Sequence, residues 1–219
     1  MKSKLTTAQE AVSRVKEGDT IMIGGFLNGG HPENLVKALV ETNSAGDLAI
    51  ISNDTGSPDL SIYQLVKSGR VKRIFASYIG LNPETGRLLM SGEAAVQLFP
   101  QGTLAEKIRA GGAGLGGFLT PVGVGTVVEE GKKKVEIDDR EYLLEMPLRA
   151  NVALIRARQA DEAGNLIING SSRNFNIVMA SAADYVIAEV DEYVKTGEID
   201  PNHVNVPGIF VDAIVKVGE

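Results

Sequence analysis

Ile21-Met22-Ile23-Gly24-Gly25-Phe26-Leu27-Asn28-Gly29-Gly30-His31-Pro32 is the stretch from which the fold is read. The apolar run at 21–23 predicts a buried strand. A loop holding Gly24, Gly25, Gly29 and Gly30 follows it. Pro32 then precedes helical spacing over 33–41, and proline suits a first helical position because its missing N–H would have no partner there. The stretch therefore reads as strand, glycine loop, helix. Glycines let a backbone approach a ligand closely, and a helix N-terminus offers unpaired N–H groups to an anion. A sharp strand-to-helix turn with no ligand would give the same pattern.

The same alternation continues outward. Thr7 followed by Glu10 fits a capping box, opening a helix that Gly18 ends. Leu35, Val36, Leu39 and Val40 fall on one stripe of the helix at 33–41. Strands are predicted at 48–52, 71–77 and 95–99, with helices at 60–67 and 103–110. Residues 53–59 read as a polar loop, and Asn82-Pro83-Glu84-Thr85-Gly86 as a turn or helix start. Strands alternating with helices specify an α/β protein with an open, mostly parallel sheet and helices on both faces. Ligands of such sheets sit at the carboxyl ends of the strands. The loop at 24–30, the pair Asn53 and Asp54, and Gln101 each follow a predicted strand, so they share one edge.

Beyond Gly111 the texture changes. Residues 111–125 are rich in glycine and poor in charge. A hairpin is expected at 132–144, with Asp138-Asp139 at its tip and Lys132-Lys133-Lys134 as a solvated start. Strands at 151–158, 185–190 and 210–216 and a helix at 174–183 complete the expectation.

Composition excludes several function classes. Of 219 residues, 43% are hydrophobic and 23% charged, as in a globular protein. A net charge of −6 argues against nonspecific nucleic-acid binding. The chain has no cysteine, which removes disulfides, thiolate chemistry and cysteine-held zinc. Its two histidines, His31 and His203, are far apart, so no metal site is expected. A polar N-terminus without a signal-peptide core and the lack of a long apolar run predict a cytoplasmic protein with no membrane contact.

The chemistry-bearing candidates are few. The loop at 24–30 lacks the Gly-Lys-Ser/Thr end of a nucleotide-binding P-loop. Residues 112–117 match Gly-x-Gly-x-x-Gly, but after a helix rather than a strand, which is the wrong context for a dinucleotide. Gln101, between a strand and a helix, offers an amide able to donate to a developing oxyanion or a carboxylate; a helix cap or a loop hydrogen bond explains it equally. Asn53 and Asp54 either orient a substrate or hold a turn. Arg109 could meet a phosphate or carboxylate, but an ion pair with Glu106 or an interface contact suits it better.

Gly18-Asp19, the apolar triplet, and Gly24-Gly25-Phe26-x-x-x-Gly30-x-Pro32 together resemble the signature of the family I coenzyme A transferases, in the form carried by their α-subunits. Pro100-Gln101-Gly102-Thr103-Leu104-Ala105-Glu106-Lys107-Ile108-Arg109-Ala110-Gly111-Gly112-Ala113-Gly114, Ser52-Asn53-Asp54-Thr55, Asn82-Pro83-Glu84-Thr85-Gly86 and Arg173-Asn174-Phe175-Asn176 resemble it too. The likeness spans residues 4–215. His31 departs from it, standing where the family usually has a smaller residue such as threonine.

The resemblance implies the CoA-transferase (NagB/RpiA-like) fold, with residues 1–219 as a single α-subunit domain. It implies exchange of coenzyme A between short-chain acyl-CoAs and carboxylates of the acetate, butyrate or acetoacetate type. Coenzyme A would be a substrate, and no cofactor is expected. The Ser-Glu-Asn-Gly motif that holds the family's nucleophilic glutamate is missing here; in the family it belongs to a β-subunit. A β-subunit partner in an α2β2 or larger assembly is therefore implied. Gln101 becomes the catalytic candidate lining the acyl site. Gly24, Gly25, Phe26, Leu27, Asn28, Gly29, Gly30, Asn53 and Asp54 become the CoA- or substrate-binding candidates. A sugar-phosphate isomerase with a related α/β fold and a non-catalytic acyl-CoA-binding module stay open as alternatives.

Overall fold

The computed structural model describes residues 3–218. Its centre is β1 (Thr20–Ile23), in which Ile21 and Ile23 face one side, Met22 faces the other, and all three are fully buried. A strand covered on both faces has no polar side, which is why its sequence is an unbroken apolar run. β1 pairs in parallel with β2 (Leu48–Ile51) on one flank and β8 (Ala150–Asp161) on the other. β3 (Val71–Ala76) and β4 (Ala95–Leu98) extend the sheet beyond β2. β10 (Ala183–Val194) and β11 (Ala213–Lys216) extend it beyond β8, giving the order β11-β10-β8-β1-β2-β3-β4. All these pairings are parallel; a short β9 (Leu166–Ile167) lies antiparallel to β8.

Helices cover both faces, as the alternating pattern predicts. Ala11 and Val12 of α1 (Ala8–Val12), Leu35 and Leu39 of α2 (Glu33–Thr42), Ile62 and Leu65 of α3 (Ser61–Lys67), and Leu88 of α4 (Pro83–Ser91) pack on the face of Ile21 and Ile23. Leu104 and Ile108 of α5 (Gln101–Gly112) and Phe175 and Met179 of α6 (Asn174–Ala180) pack on the face of Met22.

Several boundaries differ from expectation for local reasons. α1 stops at Val12 rather than running to Gly18, and the Asp19 carboxylate accepts from the Lys16 N–H at 2.8 Å in the turn that replaces it. The capping box is half made: Thr7 Oγ1 accepts from the Glu10 N–H, while the Glu10 carboxylate takes the Thr6 hydroxyl instead. α5 begins at Gln101, two residues early. β8 and β10 run 12 residues each, because they pair with one another almost end to end. β11 starts at Ala213 because Gly208–Phe210 forms a 3₁₀ turn after Pro207. The polar loop at 53–59 is not a surface loop at its start: Asn53, Asp54 and Thr55 are buried.

The region after Gly111 forms a second, antiparallel sheet of β5 (Phe118–Thr120), β6 (Lys134–Ile137) and β7 (Arg140–Glu145), in the order β5-β7-β6. Asp138 and Asp139, at φ 50° and 58°, make the tight turn between β6 and β7. Two positive φ values match the right-handed twist of a hairpin. One buried carboxylate ties this sheet to the main body. Glu145 accepts from Lys107 of α5 at 2.9 Å and from Lys132, so Lys132 is part of a buried cluster and not a solvated hairpin start. Gly111 lets the chain close beside it, since a Cβ there would lie 1.9 Å from the Leu148 carbonyl oxygen.

Burial pushes the Glu145 carboxyl up, but the Lys132 and Lys107 ammonium groups outweigh it and hold it below the usual carboxylate range. Its stabilisation is therefore present above the unfolded-state value near pH ~4.3 and is lost as pH falls through the lowered folded value. Glu145→Gln strands two ammonium groups and should cost about 3 kcal/mol at pH 7. Urea unfolding of both proteins should show that gap at neutral pH and see it close in acid. A gap that stays constant down to pH 3 would contradict this account.

Candidate active site

Four loops meet at the carboxyl ends of β1 to β4, and one hydrogen-bond network joins them. Gln101 Nε2 donates to Asn53 Oδ1 at 2.8 Å, and Ser77 Oγ donates to the same oxygen at 2.9 Å. Asn53 Nδ2 donates to Asp54 Oδ2 at 2.9 Å. The same carboxylate takes the Leu27 N–H at 2.8 Å and the Gly56 N–H at 3.0 Å. The sequence-predicted residues Gln101, Asn53, Asp54 and Leu27 are thus brought together. They are not equivalent: Asn53 and Asp54 are each 1% exposed, whereas Gln101 is open to solvent at the first turn of α5. Gln101 spends one amide hydrogen on Asn53, and its inventory leaves a second donor and a carbonyl acceptor at an exposed position. Phe26, Leu27, Tyr78 and Leu98 form an exposed apolar surround at the ends of the same strands.

The glycine loop is a tight hairpin in which the Phe26 and Gly29 peptides exchange hydrogen bonds at 2.9 Å in both directions. Leu27 turns its tip at φ 49°. Three of its glycines are needed by the chain's own packing. A Cβ on Gly24 would lie 1.9 Å from Asn176 Oδ1, on Gly25 2.5 Å from His31 Nδ1, and on Gly30 3.0 Å from Asn176 Nδ2. The part of the loop left open to solvent is its tip, Phe26, Leu27 and Asn28, with the half-buried Gly29 behind it.

The N-terminus of α2, expected to be open to an anion, is already filled. Glu189 of β10, fully buried, accepts from the Leu35 N–H at 2.9 Å and from Asn34 Nδ2 at 3.0 Å, and pairs with Arg156. The crevice between β1 and β8, where the strand order reverses, is bridged by Asn176. Its Oδ1 accepts from the Arg156 N–H at 2.8 Å and its Nδ2 donates to the Gly30 carbonyl at 2.9 Å. The Gly-x-Gly-x-x-Gly match at 112–117 leaves α5 and enters β5, so no helix opens after it. Arg109 pairs with Glu106 at 2.8 Å. Among the described residues no group of His, Cys, Asp or Glu is clustered to hold a metal, and no helix is long and apolar enough to cross a membrane.

Comparison with known proteins agrees with this fold. The family model described as coenzyme A transferase matches residues 5–217. The chain belongs to the coenzyme A transferase family. It is 54% identical to the acetate CoA-transferase subunit alpha of Escherichia coli K12, over 98% of this chain and 97% of that one. It is 49% identical to the acetoacetyl-CoA:acetate/butyrate CoA transferase alpha subunit of Clostridium acetobutylicum, over 99% of each. Among solved structures it matches an acyl-CoA transferase from E. coli O157:H7, a thioester complex with CoA, at TM-score 0.89 and 27% identity. That match covers 98% of this chain and 47% of the other, so this chain corresponds to about half of that one. Glutaconate coenzyme A-transferase from Acidaminococcus fermentans shares the fold at TM-score 0.86, 23% identity, and 98% and 75% coverage.

Sequence reading gave no role to three residues that shape this CoA transferase chain: Ser77, Glu189, and Asn176, which enters only within the family-like block at 173–176. A lone glutamate inside Val186-Ile187-Ala188-Glu189-Val190 was the available signal, since a carboxylate in a buried strand demands a partner. Burial lifts the Glu189 carboxyl above its ordinary value, against the opposing pull of the Leu35 N–H, Arg156 and Asn34. A lifted folded value means the contribution of Glu189 to stability is greatest below its unfolded pKa and declines as pH rises through the folded one. Glu189→Gln keeps an acceptor for the Leu35 N–H but does not ionise. Relative to this variant, the wild type should lose stability in urea titrations as pH rises from the unfolded glutamate value of about 4.3 through the lifted folded one. A difference independent of pH over that range would refute the assignment.

Proposed function

We propose that this chain is the α-subunit of a cytoplasmic, heteromeric short-chain acyl-CoA:carboxylate CoA-transferase of the acetate, butyrate or acetoacetate type, with coenzyme A as substrate and no cofactor. The observation that carries this reading is a site with donors and walls but no available nucleophile. Asp54 is the carboxylate of the network, yet it is buried and holds three hydrogen bonds from Leu27, Asn53 and Gly56, so it cannot reach a thioester. Ser77 donates to Asn53, with no base beside it in the network. The nucleophile is therefore assigned to a β-subunit glutamate, consistent with the names of the two relatives as alpha subunits.

In this reading the partner's carboxylate attacks the thioester carbonyl and expels the CoA thiolate, leaving an acyl-glutamyl anhydride. The thiolate attacks the glutamyl carbonyl, releasing the first carboxylate and leaving a glutamyl-CoA thioester. The acceptor carboxylate reverses the sequence and departs as its own CoA ester. Each half-reaction is a nucleophilic exchange with ping-pong kinetics. Negative charge builds on the carbonyl oxygen in every attack, and in this reading the N–H of Gln101 left uncommitted by Asn53 receives it. The isomerase alternative loses its footing, because Glu189 fills the helix N-terminus where a substrate phosphate would sit.

The isolated chain should show no CoA exchange between acetoacetate and acetyl-CoA, and should gain it on mixing with its β-subunit. Turnover by the chain alone would end this reading. In the complex, Gln101→Ala should lower kcat by about 10²–10³, roughly 3 kcal/mol of transition-state stabilisation, without impairing assembly. Gln101→Glu should be slower still, since a second negative charge opposes both the oxyanion and the acceptor carboxylate. Steady-state kinetics on matched complexes decide this, and near-normal turnover in Gln101→Ala would reduce Gln101 to a structural residue.

A further inference from the structure

We propose that His31 is a positioning residue of the transfer reaction, holding the tip of the glycine loop in one orientation beside Gln101. The loop tip needs such a device. Leu27 sits at φ 49°, a left-handed conformation that costs a branched residue free energy and persists only where the surroundings impose it. Both of its peptide groups are held. Its N–H donates to Asp54 at 2.8 Å, and its carbonyl accepts from His31 Nε2. A carbonyl can only accept, so Nε2 carries the hydrogen.

The imidazole is fixed from two further sides. It is 7% exposed, and Gly25 leaves the notch in which it lies: a Cβ there would come within 2.5 to 2.7 Å of Nδ1, Cε1 and Cγ of the ring. Through Pro32 it is also joined to α2, whose first turn is locked by Glu189. Nδ1 has no hydrogen-bond partner in this packing. A buried polar atom left unpaired is a cost that stability alone does not explain, and such groups mark places where geometry serves another purpose. One chain of contacts thus runs from α2 through His31, Leu27, Asp54 and Asn53 to Gln101. The loop-tip backbone that carries Phe26 and Leu27 cannot shift without breaking it, so where those side chains are presented to substrate is set by the rigid helix and not by the loop alone.

This inference rests on the reading of the loop tip as part of the substrate site, so the test separates the two. Wild type, His31→Gln, His31→Leu and Gln101→Ala are each assembled with the β-subunit. The Gln side chain can set an amide N–H where Nε2 stood, whereas Leu fills the space without a donor. For His31→Leu we expect kcat to fall by about 10²-fold, the scale of a misplacement near 1 Å, with KM changing less. Deuterium uptake at the amides of residues 26–29 should rise in the same variant. His31→Gln should restore both. If His31→Leu does not assemble, His31→Met, which also lacks a donor, carries the same test. Unchanged uptake at 26–29 overturns the clamp, and loosened amides with wild-type kcat overturn its part in the reaction. A fall in kcat with raised uptake throughout the chain and no rescue by Gln shows a merely structural role and overturns the proposal as well. Gln101→Ala reads the site independently: wild-type turnover there removes the substrate-site reading, while the exchange data still judge the clamp.

Discussion

The burial of β1 on both faces is the constraint from which the rest of this structure follows. Ile21 and Ile23 lie under one helical layer and Met22 under the other, so the strand must sit mid-sheet, with parallel neighbours on each side. Parallel neighbours require crossover helices, and those helices supply the layers that bury the strand. Because β1 to β4 all point one way, their following loops emerge at one edge. The candidate site is assembled there from four segments that are distant in sequence and have no need to touch one another for the sheet to form.

At that edge, saturation separates residues open to a ligand from residues that hold the loops together. Asp54 carries the only carboxylate in the network, but three donors satisfy it and burial shuts it in. Gln101 has one hydrogen bond and solvent access, so its remaining donor is free to meet a ligand. A site with a free donor, an apolar surround and no free nucleophile is incomplete as chemistry, and a second subunit is the economical way to complete it.

Two other buried carboxylates show how the charge of the partners sets the direction in which a buried carboxyl is shifted. Glu145 and Glu189 are both withdrawn from water, and burial is the largest influence on each. Glu145 faces two ammonium groups and ends below its ordinary range. Glu189 has one guanidinium, shared with Asp191, and otherwise neutral donors; burial prevails and its carboxyl is lifted. The first joins the small sheet to α5, and the second occupies a helix terminus that would otherwise attract an anion.

The amino-acid pattern was enough for the class of fold and for which loops share the edge where the candidate site lies. Periodicity sufficed for the α/β alternation because apolar runs of strand length and stripes of helical spacing are local properties, and parallel order makes the loop after each strand a candidate. Asn53, Asp54, Gln101 and the glycine loop were legible on that ground, and the family resemblance rested on the same blocks. Which of them touch, and why, was decided only in three dimensions. Gly24, Gly25 and Gly30 looked like a ligand cradle, yet Asn176 and His31 lie where their side chains would be. The α2 N-terminus looked vacant, yet Glu189 reaches it from a strand 154 residues further along. Lys132 looked solvated until Glu145 folded over it. Each reversal has the same physical cause: a polar group buried by packing must find its partner wherever the chain brings one, and sequence spacing carries no record of that distance.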